Sequence, residues 1–444
     1  MRTPSVPNVD ALLVKDCEVF YDGKRYLMDN GTKYVPLDRT SLKSQLKSKG
    51  IADPDAVINH IQTEKYVEYA GPLAGRKRGL HSYEGHHLLA TCSPTVIKAK
   101  RGKYPTIKKF IQRLLGGDEH ADVQCDRFMG WLKAARMAML AGERRPGQAL
   151  VLAGPADCGK TQLIDQIVVP SIGGRSGKAY SYLSGATRFN SDLIGAEVLV
   201  ADDETNNTHL ASRRTFGEGI KGALFPAAIQ MEGKFRDPYS FPLLWRVVIA
   251  VNDDAASLMV LPPLTKDISN KLMILRCQRG VDISEGEFEQ WRSGIKEEMP
   301  AFLHAVELFQ VTEDGPEFSR CGVSTFHHPD IVRAVEEMSP ERQLLALIDG
   351  SNSQGGPRDI SLPWDGSALD LQTLMTEQGA YGHKEASKLL DFHTTLGKLL
   401  STLAGSPASG VSRLTVRNGT QWYRIDRSKI PRQELHGELF EEDE

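Results

Sequence analysis

The chain has 444 residues, 40% hydrophobic and 25% charged, with a formal net charge of −3, a balance that fits a folded protein of several domains and excludes collagenous, disulfide-scaffold and charge-driven disordered chains. With so little net charge, any hold on nucleic acid has to come from local basic patches. No apolar stretch is as long as a membrane span, Met1 to Pro7 carry no signal-type apolar core, and the six cysteines (Cys17, Cys92, Cys125, Cys158, Cys277, Cys321) show neither a C-x-x-C pair nor a zinc-ligand spacing, so a cytoplasmic protein with reduced thiols and no membrane partner is expected.

Residues 1–103 read as an N-terminal α+β region. Val19 to Val35 alternates apolar and polar residues around Asp22-Gly23 and Asp29-Asn30-Gly31, which predicts a short meander, and helices follow near Ser41–Lys49 and Pro54–Thr63. Residues 72–103 read as a basic loop, with Arg76-Lys77-Arg78 and then Lys98, Lys100, Arg101 and Lys103, a stretch expected to touch nucleic acid or a partner subunit. His86-His87, like His327-His328 further on, lack partners at ligand spacing and read as structural. A helical segment over 104–147 carries two apolar stripes, Ile107/Phe110/Ile111/Leu114/Leu115 and Phe128/Trp131/Leu132/Ala135/Met139.

From 148 to 283 apolar strands alternate with helical or polar segments, the pattern of an α/β domain with a mainly parallel sheet. Its first strand, Ala149-Leu150-Val151-Leu152-Ala153, runs directly into Gly154-Pro155-Ala156-Asp157-Cys158-Gly159-Lys160-Thr161, a G-x-x-x-x-G-K-T phosphate loop. Glycines let successive backbone N–H groups curl around a phosphate, and the following helix offers its N-terminus to the anion. Gly154 to Gln162 are therefore assigned to ATP, with Lys160 on the β/γ-phosphates and the Thr161 hydroxyl on Mg²⁺; Cys158 reads as a tolerated small residue.

The strand Val198-Leu199-Val200-Ala201 delivers Asp202-Asp203-Glu204 at its C-terminal end, where open parallel sheets place their ligands. One acid would hold Mg²⁺ and the next would orient or deprotonate the attacking water. Asp203 for the metal with Glu204 for the water is the favoured register, and Asp202 with Asp203 the competing one. A further strand, Trp245 to Val251, ends in Asn252, a residue able to hydrogen-bond the γ-phosphate or the water.

Beyond the core, residues 284–349 read as helices (Phe288–Phe309, Pro329–Met338, Pro340–Leu347), 350–367 as a Gly/Ser/Asn linker, and 429–444 as an acidic tail. Residues 368–428 carry three helical patterns closed by a two-stranded hairpin with the turn Arg417-Asn418-Gly419, which predicts a winged helix. Its recognition helix would offer His393, Thr394, Thr395 and Lys398 to DNA, and its wing Arg413, Arg417 and Arg424; a protein-interaction module is the alternative.

The succession of phosphate loop, strand with acids, Lys-bearing segment and strand ending in Asn resembles the superfamily 3 helicases of phages, viruses and mobile elements. It is nearest the ATPase half of phage and poxvirus primase-helicases, over approximately residues 120–350. The resemblance implies an AAA+-like ATPase core that uses ATP and Mg²⁺ and assembles as a ring, usually a hexamer, around nucleic acid, and it makes 104–147 collar-like. It matches Asn252 to the sensor-1 position and Glu232-Gly233-Lys234-Phe235-Arg236 to a hairpin whose Lys grips the DNA backbone. Lys234 and Arg236 also lie between turn formers, Gly233 and Asp237-Pro238, so a hairpin tip would present both charges to phosphates.

Ring ATPases also need a cation supplied by the neighbouring subunit. Where the family usually has arginine, Lys271 stands at the expected finger position, with Lys266 nearby and Arg276, Arg213 and Arg214 as contenders, a departure that leaves the trans-acting residue open. No paired acids at primase spacing occur in the N-terminal region, so a primase or polymerase would be a separate partner. The expectation is an ATP-dependent DNA helicase or translocase acting on single-stranded or forked DNA. An ATP-switched initiator or loader, or a defence or assembly ATPase whose ring is a scaffold, are the alternatives.

Overall fold

The computed structural model describes residues 18–202, 210–233, 238–279, 285–313, 318–337, 339–354, 360–390, 395–406 and 409–427. The chain divides into two units, Met1–Ile331 and Val332–Glu444. Among the described residues, no helix is long and apolar enough to cross a membrane.

The first unit begins with the meander that the alternation predicts, β1 (Val19–Tyr21), β2 (Tyr26–Asp29) and β3 (Tyr34–Leu37), paired antiparallel in that order. Asp22 closes the first turn by accepting from the Lys24 and Arg25 amides at 2.9 and 2.7 Å. Two helices follow, α1 (Arg39–Ser48) and α2 (Pro54–Glu64), N-capped by Asp38 and Asp53, whose carboxylates satisfy otherwise orphaned amides. Their Leu42, Leu46, Val57, Ile58 and Ile61 bury against Val19 and Tyr26.

The stretch expected to be loop after residue 72 is partly strand. β4 (Tyr69–Gly71), β5 (Gly79–Tyr83) and β6 (His86–Ala90) form a sheet in the order β4-β6-β5. Glu84 and Gly85 close the β5–β6 hairpin, both with positive φ (50° and 86°); a Glu-Gly turn lacks the Asn or Asp that usually advertises such a conformation. The basic run is also turned inward at two of its residues. Arg76 donates to the carbonyls of Gly142 (2.9 Å) and Pro242 (2.7 Å), while Arg78 pairs with Asp29 and stacks on the Tyr34 ring.

At the centre lies a fully parallel five-stranded sheet of β7 (Ala149–Ala153), β8 (Ser176–Lys178), β9 (Val198–Ala201), β12 (Arg246–Val251) and β13 (Leu272–Arg276), in the order β13-β7-β12-β9-β8. Every residue of β7 and β12 is buried, the continuous apolar run of a strand covered on both faces. An antiparallel pair, β10 (Ile229–Met231) and β11 (Tyr239–Phe241), precedes β12. α3 (Pro105–Leu115) and α4 (Ala121–Ala141) share one apolar core with β7 and with the long helix Glu285–Leu308, and the Trp131 indole donates to the Gln148 carbonyl at 2.9 Å.

The N-terminal region is clasped to this sheet by a buried ion pair. Glu197, fully buried just before β9, accepts from the Arg175 guanidinium and from the Gly75 amide (2.9 Å), and Arg175 also donates to the Leu73 carbonyl (3.0 Å). Truncating one member of such a pair strands the other charge without water. Glu197→Ala is expected to lower the unfolding free energy by about 3–5 kcal/mol, read from the urea midpoint, and an unchanged midpoint would show that the clasp contributes nothing.

In the second unit α5 (Pro340–Gln354), β14 (Trp364–Ser367), α6 (Ala368–Thr376), α7 (His383–Leu389), α8 (Thr395–Leu403), β15 (Val411–Arg413) and β16 (Trp422–Ile425) enclose one core, with the strands antiparallel in the order β14-β16-β15. Residues 350–367, expected as a linker, instead hold the end of α5 and all of β14. Leu344, Leu345, Leu347 and Ile348 anchor α5 among Leu371, Leu396 and Leu400, and Gly350 leaves room for Tyr381, whose ring lies 2.2 Å from where a Cβ would stand. Asp349 accepts both prongs of the buried Arg427 guanidinium at 2.6 and 2.7 Å. Within the segment the Ser351 hydroxyl accepts from the Ile360 amide at 2.9 Å.

Candidate nucleotide site

The sheet order decides what can meet at the site. β7 lies between β12 and β13, so the loop leaving β7 is flanked by the ends of both, at Asn252 and at Cys277. The Gly154 amide donates to the Val251 carbonyl (3.2 Å) and the Cys277 amide to the Ala153 carbonyl (2.6 Å). Gly154 has no substitute here, since a Cβ would lie 2.2 Å from the Cys277 carbonyl oxygen. Asp157 and Gly159 turn the loop with φ of 55° and 111°, the second a conformation that favours glycine. The helix Lys160–Leu163 then starts, and it continues through a π-helical turn at Ile164–Val168.

Lys160 is buried at 8% exposure, and its ammonium donates to the Gly154 carbonyl (2.6 Å), the Pro155 carbonyl (2.8 Å) and Asn252 Oδ1 (2.9 Å). Two residues chosen from the sequence for separate reasons, 92 positions apart, thus share one hydrogen bond. Each acceptor is neutral, so an anionic phosphate is a stronger partner for this ammonium than any group it now holds. Cys158 is buried within the loop, and a hydrogen bond with Cys277 draws its thiol below the usual thiol range, with the Lys160 charge adding to the effect against the cost of burial. Cys277 is pushed the other way by that hydrogen bond and by burial. The two buried thiols face each other where the loop passes the end of β13.

Of the acids, Asp202 is described, at the end of β9, while Asp203 and Glu204 lie outside the described residues. Sequence reasoning overlooked Asp165, whose carboxyl is pushed up by burial and then by the negative charge of Asp202. Spacing could have found it, because Thr161 and Asp165 are four apart and share a helix face. Two carboxylates that feel each other's charge are oxygen donors of the kind a hard cation such as Mg²⁺ takes. Among the described residues, no group of three or more His, Cys, Asp or Glu forms a metal cage.

The proposed trans-acting residues separate. Arg276 ends β13 opposite Ala153, beside the loop, and is engaged with Asp330 at 2.7 Å and Asp118 at 3.9 Å. His328 is fully buried on the same Asp118 at 3.0 Å, and His327 bonds the Ser269 and Leu272 carbonyls. Lys271 precedes β13, at the sheet edge remote from the loop of its own chain, over the Phe225 ring at 5.5 Å. Arg320, absent from the sequence reading, covers the same ring at 4.7 Å. Arg213 is buried on the Leu261 carbonyl (2.8 Å), whereas Arg214 and Lys266 are exposed.

Of the candidate DNA contacts, Lys234 and Arg236 lie outside the described residues, in the connection between β10 and β11; His393 and Thr394 also lie outside them. Lys398, Arg413 and Arg417 are exposed in the second unit, Arg417 above the Trp422 ring at 4.2 Å, while Arg424 is taken up by Asp365 at 2.6 Å.

Residues 152–265 match a protein family described as a family of unknown function (DUF5906). None of the curated proteins matches the chain. Among solved structures, the A form of the apo NrS-1 C-terminal region is similar over 94% of this chain and 98% of that one, with 15% identity and a TM-score of 0.54. A second apo structure of that region gives the same coverage at 13% identity and TM-score 0.54. The SCCmec type IV Cch active helicase aligns over 88% of this chain and 73% of that one at 10% identity, with a TM-score of 0.31. The shared fold with the NrS-1 region spans both units and places this chain in a mixed α/β architecture built on a parallel sheet.

Two substitutions separate holding a nucleotide from using it. Gly154→Ala is expected to abolish nucleotide binding, seen as loss of the ATP-induced rise in melting temperature, because the added methyl meets backbone rather than a yielding side chain. Asn252→Ala is expected to keep ATP binding and slow hydrolysis on the order of 10²-fold, the cost of one missing polar group at the reacting phosphate. Wild-type turnover in that variant would remove Asn252 from the mechanism.

Proposed function

We propose that the chain is an ATP-dependent DNA helicase or translocase of superfamily 3 type, with an AAA+-like core that works as a ring, acting in replication of a phage or mobile element. The observation that carries the reading is the Lys160 ammonium poised between the phosphate loop and Asn252 at the C-terminal edge of a parallel sheet. ATP would replace the loop carbonyls as partner of Lys160, freeing Asn252 to face the γ-phosphate and the attacking water. Thr161 and Asp202 or Asp203 would hold Mg²⁺, which supplies charge neutralisation of the phosphates when bound, and Glu204 would orient the water.

Lys271 cannot serve the site of its own chain from the opposite end of β13. In a ring it would complete a neighbour's site, with Arg320 across Phe225 as a second cation. Lys234 and Arg236, between two paired strands, would grip one DNA strand, and the second unit would act as a winged helix through Lys398, Arg413 and Arg417. The partners are then single-stranded or forked DNA, further copies of the chain, and a separate primase or polymerase.

Three variants test these roles. Glu204→Gln is expected to bind ATP and leave it uncleaved, giving a stable nucleotide-bound ring by electron microscopy; normal turnover would sink the role of Glu204. In Lys234→Ala, DNA-stimulated ATP hydrolysis should persist while strand displacement is lost, and unchanged unwinding would reject the hairpin. Lys271→Ala should bind ATP normally yet hydrolyse it on the order of 10³-fold more slowly. Mixing it with Lys160→Ala, which retains Lys271, should restore part of the activity; no recovery in mixed rings would exclude a trans role. ATP-dependent DNA binding without displacement in the wild-type protein would favour the initiator or loader reading.

A further inference from the structure

We propose that the outer side of the segment running from Lys98 to Arg113 is a docking surface for the phosphate backbone of duplex DNA. Between Gly85 and Gly117 the sequence contains no Asp or Glu. Lys98, Lys100, Arg101 and Lys103 are exposed on an extended stretch, and Lys108, Lys109 and Arg113 are exposed on α3 immediately after it. Among the described residues none of these cations has an ion pair or a hydrogen bond through its charged group, whereas Arg76 and Arg78 earlier in the same basic region bond protein acceptors through their terminal nitrogens. A run of unpaired cations in a chain of net charge −3 is a local feature that the whole-protein balance does not explain.

The surface is held on a rigid base. The Lys100 amide donates to the Pro300 carbonyl at 2.9 Å, and Glu298 accepts from the Thr106 and Ile107 amides at 3.2 and 3.0 Å, which fixes the first turn of α3 on the helix Glu285–Leu308. The inner face of α3 supports the phosphate loop, Phe110 lying 3.3 Å from where a Cβ on Gly159 would stand. Both aromatic residues of the segment point inward, Tyr104 against Phe302 at 5.7 Å and Phe110 against Trp291 at 5.2 Å between ring centroids. Single-strand tracks add aromatic platforms on which bases stack, and this surface offers charge alone. Regularly spaced phosphates of a duplex are the partner such a surface fits. The inference rests on the helicase reading in that a forked substrate has a duplex arm, while the hairpin bearing Lys234 is assigned to the separated strand.

The test uses the full chain carrying Lys98→Glu, Lys100→Glu, Lys108→Glu and Lys109→Glu together, with a blunt duplex and an oligothymidine as probes, by fluorescence anisotropy over a salt series without nucleotide. Duplex affinity should fall at least about tenfold, and the slope of log K against log salt should flatten by about 0.9 for each phosphate that is no longer neutralised. Oligothymidine affinity, basal ATPase and the unfolding midpoint should stay at wild-type values. Unchanged duplex affinity and slope would overturn the proposal, as would an equal loss for oligothymidine. Loss of ring assembly with duplex binding retained would overturn it too, marking the surface as a subunit interface. If the fourfold variant does not fold, the corresponding Lys→Gln set gives the same comparison with a smaller change. A wild-type protein that separates no strands, yet loses duplex binding on charge reversal, would sink the helicase reading and leave this surface standing.

Discussion

The carbonyl oxygen of Cys277 occupies the place where any side chain on Gly154 would have to be. From this close approach follows the path of the phosphate loop, which can leave β7 only by passing beneath the end of β13. The Cys277 amide bonds the Ala153 carbonyl on one side, and the Gly154 amide ties the loop to β12 on the other. Lys160 then has only one direction in which to send its ammonium, between the loop carbonyls and Asn252. The order of three strands sets the geometry of the site, and the side chains complete it.

Cations in this molecule fall into two populations. Arg76, Arg136, Arg144, Arg175 and Arg246 are spent on carbonyls or on buried carboxylates and join segments far apart in sequence. The lysine-rich stretch before and along α3, and Lys398 in the second unit, keep their charges in water. A guanidinium presents several fixed donors to several carbonyls at once, which suits the first group, while Arg101 and Arg113 stand with the lysines in the second.

Much of the site is legible in the sequence, because its signals are local. A strand running into G-x-x-x-x-G-K-T and a second apolar strand ending in Asn are each contiguous, and the structure brings Lys160 and Asn252 to 2.9 Å. The meander around Asp22-Gly23 is legible for the same reason. Features set by partners distant in the sequence are not. The β5–β6 hairpin turns on Glu84-Gly85, the composition of 350–367 hides the packing of Gly350 on Tyr381, and the pairing of Asp349 just before it with Arg427 spans 78 residues. Asp165 carries no motif, and its carboxyl is pushed up by burial and then by Asp202, delivered by the second strand after it. Arg76 and Arg78 read as free surface charges until the carbonyls and the Asp29 carboxylate that take them up are placed.

The joint made by Arg76, Arg144 and Arg246 differs in kind from the Arg175–Glu197 clasp. Its acceptors are backbone carbonyls of Gly142, Arg145, Ala223, Pro226 and Pro242, among others, with no carboxylate among the described residues taking part. Burial, with mutual repulsion added, lowers Arg144 and Arg246 to about 10, so both remain charged at neutral pH. Carbonyls do not titrate, and across the acid range the guanidinium groups stay protonated in folded and unfolded chains alike. The joint is therefore silent to acidification. The contact of Arg76 with the Gly142 and Pro242 carbonyls therefore holds the N-terminal region to the parallel-sheet domain across the acid range.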